Sequence, residues 1–373
     1  MYEDIRPFND SESVEALKRA STNRLMEPIS AFIFPGRDPD ILRNTLNTVR
    51  GVDDFQTRVM LPAIRSIVGR TTKGLTWEGL DWFEEGKCYT MLSSHRDIVL
   101  DSAFIQYILK DNGLPFTEIA VGDNLIYNQF MEDLMRSNRM IKVIRGQSNR
   151  ELLAVSKELS SYIRMRVTDE ENPSSVWISH RNGRTKDGCD LTEQGLLKML
   201  FMSGSPDFAE NFGELNIMPT AISYEIESCG IKKAYETYIR KMMGTYSKRP
   251  GEDLESVIQG IIQQKGRVHV AFCQPLTREE LDYCASLEKN ARFRALASLV
   301  DDRILKAWRI WPSNIAAAEM LTGRQPSDRH ETERFERYLK EEIDSLPKHL
   351  GDHRAIREIL IDIYAQPVLR KGF

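Results

Sequence analysis

The chain predicts an α/β domain on a mostly parallel or mixed sheet flanked by helices, with helical extensions at both ends. Three observations carry this expectation. From about Gly86 to Leu276, short apolar runs of strand length alternate with helix-patterned stretches. On either side of that span the apolar residues return at helical spacing instead. No low-complexity linker and no internal repeat divides the 373 residues, which are enough to bury a large core.

Residues 1–75 read as a helical N-terminal extension. Within it, Ile41–Lys73 sets Arg43, Arg50, Arg58, Arg65, Arg70 and Lys73 against only Asp53 and Asp54. Its apolar residues recur at helical spacing, with Gly51 and Pro62 as the expected interruptions. That apolar face reads first as core, and second as a surface for anionic membrane. The α/β domain is expected over 76–300. Its strand candidates are Cys88–Ser94, Glu118–Val121, Met140–Ile144, Ser175–Ser179, Asn216–Ser223 and Arg267–Cys273. Helical patterns fall between them at Ser102–Lys110, Tyr127–Ser137, Arg150–Met165, Lys232–Met243 and Asp253–Gln264. After Leu276 the pattern is helical, clearest in Arg278–Ala297, Arg334–Asp344 and His353–Ala365. Residues 301–373 read as a C-terminal extension packed on the core.

A net charge of -4 and a pI near 6.0 argue against a dedicated nucleic-acid binder, whose domains are strongly basic. No run approaches the roughly 18 apolar residues of a membrane span. Met1-Tyr2-Glu3-Asp4 lacks the basic-then-apolar order of a secretory signal. The expected location is cytoplasmic, or peripheral at the inner face of a membrane. Cys88, Cys189, Cys229, Cys273 and Cys284 are scattered, with no CxxC pair, as free thiols of a reducing compartment are. The sequence holds no GxSxG elbow, no GxGxxG after a strand candidate, no HExxH and no acidic calcium loop. No metal or bound cofactor is expected.

Chemistry concentrates in Ser93-Ser94-His95-Arg96-Asp97-Ile98-Val99-Leu100-Asp101-Ser102. A strand ends near Ser94 and a helix begins around Asp101, so His95 lies in a loop at the rim of the sheet. A carboxylate in the first helical turn can fold back on the imidazole, fix its tautomer and raise its basicity toward an alcohol. The same segment also describes an ordinary loop histidine followed by helix-capping aspartates. Further on, Arg181, Arg184 and Lys186 lie at a strand end beside Gly183 and Gly188, and Arg145 ends another strand candidate. Cations placed there converge with His95 on one rim and suit a phosphate-bearing ligand. Alone, the cluster equally describes a solvated basic loop.

Taken in order, these segments resemble four blocks of the glycerolipid acyltransferases, between about Tyr89 and Glu225. Within that family they are most similar to the glycerol-3-phosphate acyltransferase branch, in a bacterial form carrying His-Arg-Asp-Ile-Val-Leu-Asp. The first block, His-x4-Asp in the family, is His95-x5-Asp101 here, with Asp97 nearer. The second resembles Gly122-Asp123-Asn124-Leu125 followed by Met140–Arg145. The third is Trp177–Gly188, in the place of Glu-Gly-x-Arg. The fourth is Ile217–Glu225, a proline-containing strand ending in Tyr224-Glu225. Asn182 stands where the family usually has Glu and cannot balance the charge of Arg184, which points to a divergent substrate or a weakened enzyme.

The resemblance implies a glycerol-3-phosphate acyltransferase-like fold and activity. A fatty acyl group would pass from an acyl thioester, acyl-CoA or acyl carrier protein, to a hydroxyl of glycerol 3-phosphate in phospholipid synthesis. His95 is expected as the base and Asp101 as its partner, with Asp97 the alternative carboxylate. Arg145, Arg184, Lys186 and Arg181 are expected on the acceptor phosphate, and loop amides near Gly183 on the oxyanion. No Ser or Cys is placed as a nucleophile, so direct attack is expected, with the donor as cosubstrate. Tyr224-Glu225 favours this branch over a lysophosphatidate acyltransferase. A non-catalytic lipid- or phosphate-binding relative is the reading from another class. Lys232, Lys233, Arg240, Lys241, Lys248 and Arg249 face only Glu236 in that stretch. They suit an acidic acyl carrier protein, coenzyme A phosphates or an anionic membrane, or form a plain solvated helix face. His180 borders the third block and is the other histidine of interest.

Overall fold

A computed structural model describes residues 2–145 and 148–372. Seven strands form one mixed sheet: β1 (Leu75–Glu78), β2 (Thr90–Ser93), β3 (Glu118–Gly122), β4 (Met140–Val143), β5 (Val176–Ser179), β6 (Ile217–Tyr224) and β7 (Val268–Phe272). Their order across the sheet is β1-β7-β6-β2-β5-β3-β4. Every pairing is parallel except β6 with β7.

The six apolar runs read from the sequence all become strands; β2, β5, β6 and β7 are enclosed on both faces, as parallel strands between helical layers are, while β3 and edge strand β4 are half-buried. Along β5, Val176 and Ile178 enter one apolar cluster while Trp177 enters the other, so the period of two sorts side chains between the sheet's two faces. The helix Leu100–Asp111 covers one face; Asn149–Thr168 and Lys289–Ala307 cover the other. Pro219 sits in central β6 without breaking it. Its carbonyl accepts from Cys273 beyond the last β6–β7 register pair, so the missing N–H points where that ladder has ended.

Three differences from the sequence reading have physical causes. Strand β1 leaves no mark in the sequence pattern, because it is four residues long and alternates in burial at the sheet edge instead of forming an apolar run. Pro62 does not end its helix: a π-helical turn, Gln56–Met60, precedes Leu61–Thr71 and absorbs the lost i−4 bond. Arg278–Ala297 is two helices, Arg278–Ala285 and Lys289–Ala307. As the sequence reading put first, the apolar face of Ile41–Lys73 is core: Leu42, Leu46, Phe55 and Val59 join Leu17 and Met26 in a cluster under the N-terminal helices. Among the described residues no helix is long and apolar enough to cross a membrane.

The C-terminal helices Pro312–Thr322, Arg329–Asp344 and His353–Arg370 form an apolar cluster with Gly230–Met243. The last of them presses on the loop after β5. Gly188 has φ +79°, and a Cβ there would lie 2.4 Å from the Ile363 carbonyl oxygen. Gly188→Ala should therefore destabilise the fold by more than the roughly 1–2 kcal/mol of left-handed strain alone. A lowered denaturant midpoint with unchanged slope is the expected result.

Candidate active site

Parallel strands bring their C-terminal ends to one edge of the sheet, where open α/β folds place their sites. The loops after β2, β3, β4 and β5 meet there around a cavity of about 460 Å³, a size ordinary for small-molecule sites. His95 lines it, as do Gly122, Asn124 and Leu125 after β3 and Arg145 after β4. From β5 onward Arg181, Asn182, Gly183, Arg184 and Lys186 contribute. The depth of the cavity is apolar, formed by side chains such as Ile98, Met140, Leu159 and Met199.

Asp101, in the first turn of Leu100–Asp111, is fixed from four directions. Its Oδ2 lies 3.0 Å from His95 Nδ1 and accepts the backbone N–H groups of Arg96 (2.6 Å) and Asp97 (2.9 Å). Its Oδ1 accepts the Tyr224 hydroxyl at 2.7 Å. Burial and the Asp101 carboxylate push the Tyr224 phenol well above its ordinary range, which keeps it a donor. The arrangement is satisfied when His95 carries its proton on Nδ1, leaving the Nε2 lone pair without a partner among the described residues. The edge of Trp177 packs against the imidazole, ring centroids 5.8 Å apart. Asp97 does not touch His95. Its Oδ1 caps the helix start through Val99 and Leu100 N–H, and its Oδ2 takes the Ser228 hydroxyl. The alternative carboxylate is thus a capping group.

The four cations assigned to a phosphate are gathered on the cavity but are not equivalent. Arg184 is 9% exposed, and its Nη1 is buried with no hydrogen-bond partner. Arg181 donates from Nη1 to the Cys189 carbonyl at 3.3 Å, while its Nε is unpartnered. Arg145 is exposed, its backbone N–H held by Asp123. Lys186 is not free: it pairs with Glu236, which also holds Arg240 at 2.8 Å. Desolvation nevertheless lowers the Lys186 pKa. Gly183 has φ +76° and open space around it, so the backbone can approach a ligand.

Sequence reading missed the scaffold beneath these groups. Arg96, 1% exposed, bonds Asp190 (2.7 and 3.0 Å), Glu227 (3.3 Å) and the Gly188 carbonyl (3.2 Å). Buried Lys233 donates to Glu227 and, at 2.6 Å, to the Arg96 carbonyl. The Thr185 N–H reaches the His95 carbonyl at 2.7 Å, tying the third block to the first. Burial opposes ionisation of Asp190, but Arg96, His180 and the Thr185 hydroxyl together outweigh it and hold the carboxyl below its usual range. A signal exists in the chain: Lys233 and Arg96 are charges at helix- and loop-forming positions close to apolar residues. Lys248, Asp253 and Glu193 also line the cavity, and the sequence reading gives them no part in the site.

Two outcomes are expected. Tyr224→Phe leaves Asp101 Oδ1 buried without its donor, so the unfolding free energy should fall by about 1–3 kcal/mol. Separately, burial lowers the pKa of His180 from 6.5 to about 4. The unfolded chain therefore takes up this proton before the native one does. The stability so gained is complete above pH 6.5, and on the order of 3 kcal/mol is lost as pH falls toward 4. Unfolding free energies for wild type and His180→Asn over that window should show a shallower slope in the variant.

No protein-family model and no curated protein sequence matches the chain. Among solved structures, it is similar to the 1-acyl-sn-glycerophosphate (LPA) acyltransferase PlsC from Thermotoga maritima. The identity is 12% over 80% of this chain and 98% of that one, with a TM-score of 0.38. Likeness at that level assigns neither a family nor an activity.

Proposed function

We propose that the protein is an O-acyltransferase that moves a fatty acyl group from an acyl thioester to a hydroxyl of a glycerol phosphate. The observation that carries this is His95: Nδ1 is clamped by a fully bonded Asp101, and the ring lines a cavity that also holds the buried guanidinium of Arg184, with its unpartnered Nη1. A buried guanidinium nitrogen without an acceptor is costly, and an anionic ligand group relieves that cost. In the proposed reaction Nε2 takes the proton of the acceptor hydroxyl as its oxygen attacks the thioester carbonyl. The tetrahedral intermediate then collapses, the C–S bond breaks, and the imidazolium returns the proton to the departing thiolate. No serine or cysteine bonds to His95 among the described residues, which supports activation of the substrate hydroxyl without an acyl-enzyme. Arg184 and Arg145 hold the phosphate, while Lys186 contributes a charge shared with Glu236.

The acceptor has two candidates. Tyr224-Glu225 no longer favours glycerol 3-phosphate, because Tyr224 bonds Asp101 and Glu225 bonds Arg267 and Arg334, so both side chains are structural. Apolar lining that reaches the mouth at Leu125 and Leu152 fits an acceptor with its own chain, 1-acylglycerol 3-phosphate. The donor, acyl-CoA or acyl carrier protein, acts as cosubstrate in either case.

The test is an acyl-transfer assay of purified protein with both acceptors and both donors. Product is expected from at least one pairing, and His95→Ala should reduce it by about 10²–10⁴-fold with the fold intact. Arg184→Gln should raise the Michaelis constant for the acceptor by roughly 10-fold or more, leaving that for the donor little changed. Binding of glycerol phosphates without transfer would identify a non-catalytic relative.

A further inference from the structure

Large aliphatic side chains are exposed in a row that the core does not explain. On the helix Glu252–Ile262, Leu254, Ile258 and Ile262 are 41%, 50% and 58% exposed. Spacing of four residues aligns them in one stripe about 12 Å long. Ser256 and Gly260, on the other side, are buried. That side is fixed to the candidate active-site loop: a Cβ on Gly260 would lie 2.3 Å from Asp97 Oδ2. The stripe is therefore turned to solvent by a helix seated on the His95 loop.

The helix also borders the cavity mouth. Asp253, the residue before the stripe, lines the cavity, accepts from Asn124 Nδ2 at 3.0 Å and pairs with Lys248. On another wall of the mouth Leu152, itself a lining residue, is 50% exposed and Leu153 59%. Among the described residues five cations, Arg145, Arg181, Arg184, Lys186 and Lys248, line the cavity against two carboxylates, Glu193 and Asp253. An aliphatic collar around a cationic opening is complementary to anionic headgroups lying over hydrocarbon.

Of the six cations in the basic patch suggested by the sequence, only Lys241 is exposed without an ion pair among the described residues. Lys233 is buried on Glu227, and Lys232, Arg240, Lys248 and Arg249 pair with Glu255, Glu236, Asp253 and Glu255. With five of the six charges engaged, burial of the stripe supplies most of the attraction, and an acidic carrier protein is the less suited occupant.

We infer that the helix Glu252–Ile262 sits in the interfacial layer of an anionic bilayer through Leu254, Ile258 and Ile262, with Leu152 and Leu153 beside it, so that the cavity opens onto membrane lipid. The purpose of this docking rests on the acyl-transfer reading; its test does not.

The probe is a phosphatidylcholine–phosphatidylglycerol vesicle, sedimented with the full chain at low and high salt. Wild type should bind, and a large part of the binding should survive high salt. Changing Leu254→Ser, Ile258→Ser and Ile262→Ser together should lower partitioning at least about ten-fold, since burying even one such side chain is worth about that in an equilibrium constant. These changes should leave transfer from a soluble short-chain thioester intact. Separately, the Ile258→Trp variant should add to the wild-type emission a component that shifts to the blue on vesicles and is quenched by brominated lipid. Equal binding by the triple variant, no added shift or quenching in Ile258→Trp, or capture by an acidic carrier protein with no vesicle binding would overturn the docking surface. Stripe-dependent binding in a protein that transfers no acyl group would uphold the surface and sink the proposed activity instead.

Discussion

The Asp101 carboxylate is the constraint on which the site depends. It sits in the first turn of a buried helix and receives a ring nitrogen, two backbone amides and a phenol. Its position joins separate parts of the fold: the loop after β2, the helix and the end of β6. A carboxylate so held cannot turn away, so the imidazole inherits both its orientation and its tautomer. The energetic cost of burying the charge is offset only while all four donors stay in place. That makes the His95–Asp101 pair dependent on the placement of β2 and β6, the strands that carry its donors.

Around it lies a second buried web with opposite character. Arg96 and Lys233 are positive, Asp190 and Glu227 negative, and the four lock the loops after β2 and β5 to the segment after β6. Replacing one partner strands the others in a low-dielectric interior, which typically costs about 3–5 kcal/mol. The web contributes registry: three loops around the cavity hold one relative position.

Much of this was legible in the sequence. Apolar run length marked six of seven strands, and the order of chemistry-bearing residues at strand ends marked the rim that collects them. The edge strand β1 was not legible, because four alternating residues at a sheet margin differ little from a loop. The His95 partner, Asp101, was expected from the resemblance and the helix start, whereas spacing alone leaves Asp97 and Asp101 both within reach. What separates them is the turn geometry, which aims one carboxylate at the ring and the other at the helix amides. Pairing was also hidden: Lys186 and Lys232 look free until Glu236 and Glu255 fold against them. Linear charge counts cannot see acids supplied by the next helix.

One reversed strand decides what overhangs the site. Because β7 runs antiparallel to β6, with Tyr224 paired to Val268, the chain leaves β6 and enters β7 at the same edge of the sheet. The Glu225 and Ile226 amides bond the Arg267 and Lys265 carbonyls, closing residues 225–267 into a loop with a zipped base. A parallel β7 would have forced that segment to cross to the far edge. Reversal instead returns it over the same end of the sheet, where Lys233 reaches the Arg96 carbonyl and Gly260 seats against Asp97. A single excursion of the chain thus carries both a strut of the buried web and the helix whose aliphatic stripe faces outward.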